Sequence, residues 1–427
     1  VKIRLRSALL LGTLALCSWP SLAQAEVTVA KLPDDWELYA TGRLSAFAAV
    51  IEGHGVPQPL DPNHALAQEG IAFDADSSDG TSNKSGHGLV FRVRSGFVPN
   101  ILAFGIRRQM TPTTLVSGKI AIWSTIESQG QRTYQKNLPD VREGYVRVEG
   151  PWGTVLAGRA LSLFGRGATE IDFLYGHGYA VGAPQGFNDQ GPTAGHIGFG
   201  VLANVFAAGL VYSTPSFAGL QLNVGYYDPA VLVGQRYART KGGRPEAQAT
   251  YDVTFAHNAR LHAFVEGAFQ KLYDTNGTND SKNVYGAQAG VRGEFGAFHL
   301  GVAAFGGTGL GVNYFLSQTD SINNQASNKM RPFDGGYVQA QVALRSFDFN
   351  VGAGITRAHQ MTEDLDLALS PSQTDYLKQQ RGISAVVVWH VASYLHAAFD
   401  YFRADTDWWG GEHQGVNSFN AGLTATF

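Results

Sequence analysis

The sequence holds a single cysteine, Cys17, and nothing after it that could form a disulfide, so the fold must stand on hydrogen bonding and packing alone. After residue 25 there is no run of 18 or more apolar residues, which excludes a membrane-spanning helix. Charge is sparse too. Asp, Glu, Lys and Arg make up 16% of the chain, whereas a soluble surface carries roughly 25–35%. Bases are not in excess: setting aside Lys2, Arg4 and Arg6 leaves 29 Lys and Arg against 35 Asp and Glu, a formal charge of −6. A nucleic-acid partner would call for the opposite balance. The 12 histidines form no HExxH pair and no tight two-ligand spacing, so no metal or other cofactor is expected. No GxSxG nucleophile motif occurs either, which speaks against an enzyme. The acidic run Asp74-Ala75-Asp76-Ser77-Ser78-Asp79 lacks the ordered ligand spacing of a calcium loop and reads as solvated surface.

What is present is a different kind of amphipathicity. Hydrophobic residues are 44% of the chain, with 52 glycines, 25 phenylalanines and 17 tyrosines. Glycine at that level disfavours helices, and aromatics favour strands. Residues 1–25 read as a secretory signal peptide: Lys2, Arg4 and Arg6 form a basic start, Leu9, Leu10, Leu11, Leu14 and Leu16 a short apolar core, and Ala23-Gln24-Ala25 a small-x-small cleavage signal. The rest, 26–427, reads as one domain.

Across that domain the alternation is of period two. At the C-terminal end Phe419, Ala421, Leu423, Ala425 and Phe427 share one parity, and Ser418, Asn420, Gly422, Thr424 and Thr426 the other. One apolar and one small polar face, long enough to cross a bilayer as a tilted strand, is the signature of a transmembrane β-barrel. Comparable segments begin at 36–50, continue with an arginine-bearing face at Arg92 and Arg94, and recur in pairs to the end of the chain. Residues 98–116 either extend the strand carrying Arg94 past a kink at Pro99 or form an excursion. The tally is 16 antiparallel strands, with connections alternating between short and long, so both termini fall on the short-turn, periplasmic side.

A passive channel needs no nucleophile. It needs a narrow place lined by opposed charge. The connection at about 162–199 is far longer than a hairpin loop and so is expected to carry function. It holds Glu170, Asp172 and Asp189 among many glycines. The basic wall opposite it is expected from Arg92, Arg94, Arg147 and Arg159, with Lys119 beside them and Arg43 on the first strand. An arginine facing lipid at mid-bilayer costs about 2–4 kcal/mol, which makes the lumen the default placement for each. Tyr39, Phe47, Phe91, Phe97, Tyr212, Phe217, Trp389, Tyr401 and Phe427 are candidates for the aromatic belts at the headgroup levels. The activity expected is passive diffusion of small hydrophilic solutes and ions. The alternatives are a solute-selective channel of the same fold, a barrel adhesin, and a membrane-embedded hydrolase.

Three stretches carry a family resemblance. Arg142-Glu143-Gly144-Tyr145-Val146-Arg147-Val148-Glu149-Gly150-Pro151-Trp152-Gly153, leading to Gly158-Arg159, resembles the hairpin before the constriction loop of Gram-negative general porins. Tyr212-Ser213-Thr214-Pro215-Ser216-Phe217-Ala218-Gly219 is similar to the turn that follows that loop, and Phe427 matches the family's terminal assembly mark. The resemblance implies a homotrimer of 16-stranded barrels in the outer membrane, in contact with its lipid and lipopolysaccharide, each with its third long loop folded inward. It also places Arg159 on the family's basic cluster, Arg147 close to it, and Glu170 and Asp172 on the acidic side. The family's Pro-Glu-Phe-Gly stretch is absent; Glu170-Ile171-Asp172-Phe173-Leu174-Tyr175-Gly176 stands nearest to it.

Overall fold

The computed structural model describes residues 26–56, 88–96, 100–124, 126, 140–173, 196–230, 237–256, 259–274, 276–277, 280–313, 315–316, 329–365, 377–411 and 413–427. Residues 1–25, read above as a signal peptide, the acidic run at 74–79, Phe97 and Asp189 lie outside these described residues. Among those described, no helix is long and apolar enough to cross a membrane.

Alternation of the kind just described can bury only one face per strand, and the chain solves this by closing the sheet on itself. Sixteen antiparallel strands run in order around the barrel. They are β1 (Glu37–Val56), β2 (Gly88–Arg94 continued by Asn100–Thr111), β3 (Thr114–Ser124), β4 (Asp140–Gly150), β5 (Gly153–Leu161), β6 (Phe206–Ser213), β7 (Leu220–Tyr227) and β8 (Arg244–Ala256). The second half comprises β9 (Ala259–Asp274), β10 (Ser281–Phe295), β11 (Phe298–Thr308), β12 (Pro332–Leu344), β13 (Phe347–Ala358), β14 (Leu377–Ala392), β15 (Leu395–Trp408) and β16 (His413–Thr426). Two short strands, Val27–Lys31 and Tyr237–Arg239, pair at the ends of β1 and β9.

Residues 98–116 resolve in favour of a kinked strand. Phe47 stands opposite Arg94 and Arg43 opposite Ile101, so both halves of β2 pair with β1. Three residues of β1, 44–46, thus face six of β2, 95–100. The excess falls between Arg94 and Ile101. A tight turn between Thr111 and Thr114 then starts β3.

Closure pairs β16 with β1, from His413 opposite Val56 to Thr426 opposite Arg43. Phe427 completes the seam. Its N–H donates to the Gly42 carbonyl at 3.0 Å, and its own carbonyl accepts from Gly42 N–H at 2.6 Å. The ring fills the space beside Gly42, where a Cβ would stand 2.2 Å from Cζ.

Parity sorts the wall into two faces. On β1, Arg43, Ser45, Phe47, Ala49 and Ile51 are buried while Leu44 and Val50 are exposed. On β2, Leu89, Phe91 and Val93 are exposed and alternate with half-buried Arg92 and buried Arg94. On β9, Val265 and Phe269 are exposed between buried Phe264, Glu266, Ala268 and Gln270. An apolar exterior around a polar interior is the arrangement lipid imposes. Phe91, Tyr212, Phe217, Trp389 and Phe427 are exposed as an aromatic belt requires, whereas Tyr39 and Phe47 share the buried parity of Arg43 and leave the belt. Tyr401 is half-buried against Phe419, ring centroids 5.0 Å apart.

Candidate functional site

The connection between β5 and β6 begins with Ser162 and a single helical segment, α1 (Arg166–Ile171). Helices of this length leave most of their N-terminal N–H groups without a partner, and no local side chain caps this one. The wall supplies the acceptors. Glu246 on β8 accepts the Phe164 N–H at 2.8 Å. Glu266 on β9 accepts those of Gly165 and Gly167 at 2.8 and 3.0 Å, and takes a third bond from the Gln248 amide at 2.8 Å. A carboxylate at this end also meets the positive pole of the helix. Gly165 is needed twice over: its φ of +91° is left-handed, and a Cβ would stand 2.3 Å from the Asn204 backbone nitrogen.

Further along, Tyr337 on β12 donates its hydroxyl to the Ala168 carbonyl at 2.6 Å, and the Gln339 carbonyl oxygen accepts the Phe173 N–H at 2.8 Å. Asp172 is fully buried. Its carboxylate accepts from the Gln339 amide at 2.7 Å and meets His196 Nδ1 at 3.0 Å. His196 Nε2 lies 3.0 Å from the Ser384 hydroxyl on β14. Beyond His196, Gly200 donates to Thr356 Oγ1 at 2.9 Å, and Phe199 stands edge-on to Phe402 at 5.3 Å. Ala168, Ile171, Ile197, Phe199, Val201 and Ala203 share one apolar cluster with Ala49, Ile51, Phe264, Ala303, Tyr337, Phe402 and Val416 of the wall.

The two sides of the wall differ in consequence. Glu246, Gln248, Gln270, Gln339 and Ser384 are buried, while on β3 and β4 Lys119, Glu143, Arg147 and Glu149 keep part of their surface open. A cavity of about 130 Å³ is lined here by Arg147, Thr154, Leu156, Ala160, Arg166 and Tyr227. Its charges are matched locally. Lys119 pairs with Glu143 at 3.0 Å and Arg147 with Glu149 at 2.5 Å. Arg166, on α1, precedes half-buried Glu170 by one turn; burial pushes the Glu170 carboxyl up, with Arg166 pulling it down.

The basic residues expected to face the connection do not form one cluster. In the register of β1, Arg94 stands opposite Phe47, while Lys119 traces through Gly105 to Tyr39, eight residues further along. That is roughly 27 Å of strand at about 3.4 Å per residue. Lys119 and Arg147 share the inner face of adjacent strands; Arg92 and Arg94 lie towards the other part of β1 and β2, and Arg43 stands midway between the two levels. Arg159 differs from all of them. It is exposed, on the face of β5 that carries exposed Val155 and Ala157, opposite Gly144 and Ala208. The inward positions of β5 are Leu156, Gly158 and Ala160, which line the cavity with Arg147. Asp172 likewise serves the wall contacts and does not line that cavity.

Arg166 and the wall acceptors Glu246, Glu266, Gln339 and Ser384 were not singled out from sequence. The signal available was parity: each strand residue holds an inward position in its strand, yet the partner each would meet lies 80 to 190 residues away.

Comparison with known proteins follows the same fold. A family profile described as Gram-negative porin matches residues 13–426. Comparison with curated proteins returns no match. Among solved structures, the outer membrane channel DcaP of Acinetobacter baumannii superposes with a TM-score of 0.66 at 14% identity, covering 94% of this chain and 100% of that one. An anion-selective porin from Comamonas acidovorans gives 0.60 at 12% identity, covering 92% and 100%. OmpF of Salmonella typhi, in complex with daunomycin, gives 0.53 at 10% identity, covering 92% and 98%.

Proposed function

Because the chain belongs to the Gram-negative porin family, and is thus a non-enzymatic barrel of the outer membrane, we propose that it forms a water-filled channel for passive diffusion of small hydrophilic solutes and ions. In this reading the β5–β6 connection is the inward-folded third long loop and narrows the channel. The observation that carries it is the bonding of both described ends of that connection to inner-face side chains of β8, β9, β12, β13 and β14. The narrow point is assigned to Arg147, Lys119 and Arg166 with Glu143, Glu149 and Glu170. Arg92 and Arg94 line the channel at another level, Arg43 lies between the two, and Arg159 takes no part in it. The functional unit is proposed as a homotrimer seated among outer-membrane lipid and lipopolysaccharide.

Selectivity follows from local charge balance. Each cation on β3 and β4 faces its own carboxylate, so the narrow point carries little net bias. Charge in the outer loops is screened beyond about 8 Å at physiological salt. The expected result is a mild cation preference at low salt that fades as salt rises.

Reversal potential across a KCl gradient tests the assignment. Arg147→Ala exposes the Glu149 charge and should shift the potential further towards cations and raise conductance. Arg159→Ala should leave both unchanged. The reverse pattern would move the narrow point to the other face of β5 and sink this assignment. Swelling of liposomes in small neutral sugars, with exclusion of larger ones, checks passive solute diffusion independently.

A further inference from the structure

Asp172, His196 and Ser384 stand in the order carboxylate, imidazole, hydroxyl, with 3.0 Å at each contact. On other folds that order performs acyl transfer. Here Ser384 is 2% exposed, and a Cβ on Gly352 of the adjoining strand would stand 3.0 Å from its hydroxyl oxygen. The arrangement is packed into the wall and offers no approach to a substrate carbonyl. What it does is join three separate pieces of chain: the exit of α1 through Asp172, the returning segment through His196, and the wall through Ser384.

Resting on the channel reading above, we propose that His196 is the positioning residue of the channel, a latch that ties the two ends of the β5–β6 connection to each other and to β14, and so fixes the width of the pore. The imidazole suits the task because its two nitrogens face opposite ways. With Nδ1 protonated, it donates to Asp172 and accepts from Ser384 at Nε2. In the other tautomer, Nδ1 accepts from the Gln339 amide 2.8 Å away and Nε2 donates to Ser384. Only the Nδ1-protonated form bonds Asp172 directly; in the other form Asp172 is reached through the Gln339 amide, which donates to it at 2.7 Å. Gln339 closes the ring by bonding Asp172 and the Phe173 N–H at once. The glycine-lined wall lets the returning segment lie close: a Cβ on Gly354 would stand 2.0 Å from the Phe199 carbonyl oxygen.

The test uses the full-length barrel, refolded and inserted in planar bilayers, with folding verified for each variant by its compact mobility on unheated gels. Wild type should show one steady open level. His196→Ala should raise open conductance roughly 1.5-fold and add rapid flicker, because an untied connection samples wider positions. Ser384→Ala, a small change in the wall, should give a milder form of the same effect. In the double variant the Ser384 change should add nothing further, since the bond it removes is already gone. His196→Gln, which keeps a hydrogen-bonding group facing Ser384, should return the level most of the way to wild type. A conducting wild type with unaltered conductance and noise in His196→Ala or in Ser384→Ala would overturn the latch. A wild type that folds and does not conduct would overturn the channel reading instead. Ester hydrolysis that depends on Ser384 would overturn the latch in favour of the chemistry its geometry resembles.

Discussion

Replacing Gly354 by valine is expected to displace the returning segment of the β5–β6 connection while leaving the barrel closed. Gly354 faces inward on β13, and the segment lies directly against it. A Cβ there would meet the Phe199 carbonyl oxygen at 2.0 Å and its carbon at 3.0 Å, both backbone atoms that no side-chain rotation can move. Gly382, its partner across the ladder to β14, is nearly as tight, 2.9 Å from Phe199 Cβ. Gly200, at φ +96°, lies as close to the next strand, with a built Cβ 2.3 Å from the Gly336 carbonyl oxygen, so the segment can give only as a unit. Valine itself suits a strand, so the wall has no reason to open. Overpacking of this kind costs about 1–3 kcal/mol, comparable to the Gly200–Thr356 bond and the Phe199–Phe402 contact together. The connection should therefore yield. Single-channel recording should show an open level about twofold above wild type if the segment leaves the narrow point. An unchanged level in correctly folded Gly354→Val would mean that the segment does not restrict the channel.

The second large effect is expected at Glu266. This residue is 3% exposed and its carboxylate accepts three donors, two of them the N–H groups of Gly165 and Gly167 at the start of α1. Glu266→Leu leaves those groups buried and unmet, at about 1–3 kcal/mol each. Glu246 holds only the adjacent Phe164 N–H and is occupied by Arg244 at 2.7 Å, so it cannot take them over. The expected outcome is a lower temperature for loss of compact gel mobility, and frequent sublevels in conductance as α1 lifts from the wall. Glu266→Gln keeps one acceptor oxygen and should fall between the two. Wild-type heat resistance in Glu266→Leu would show that α1 is held by its apolar contacts with Phe264 and Ala303 and not by the carboxylate.

Much of the fold was legible because a barrel writes its rule into every strand. Inward and outward positions alternate, so Leu89, Phe91 and Val93 separate from Arg92 and Arg94 without reference to any other segment. The strand count held for the same reason, and even the ambiguous stretch at 98–116 had only two outcomes once Pro99 was recognised as unable to donate. The site was less legible. Lys119 and Arg147 were placed by parity, but nothing local reveals that β2 spends three extra residues at its kink and so separates Arg94 from Lys119. Arg159 was expected inward because an arginine facing lipid is costly and by likeness to a family motif, whereas the parity of Val155 and Ala157 puts it outside. Asp172 read as a channel-lining acid because its partners, Gln339, His196 and Ser384, are brought to it only by closure of the barrel.

The most direct measurement is the current carried by the refolded mature barrel in a planar bilayer. Discrete, stable, ohmic steps are expected, with a mild cation preference that shrinks as KCl concentration rises. Compactly folded protein that inserts and carries no current would contradict the channel reading.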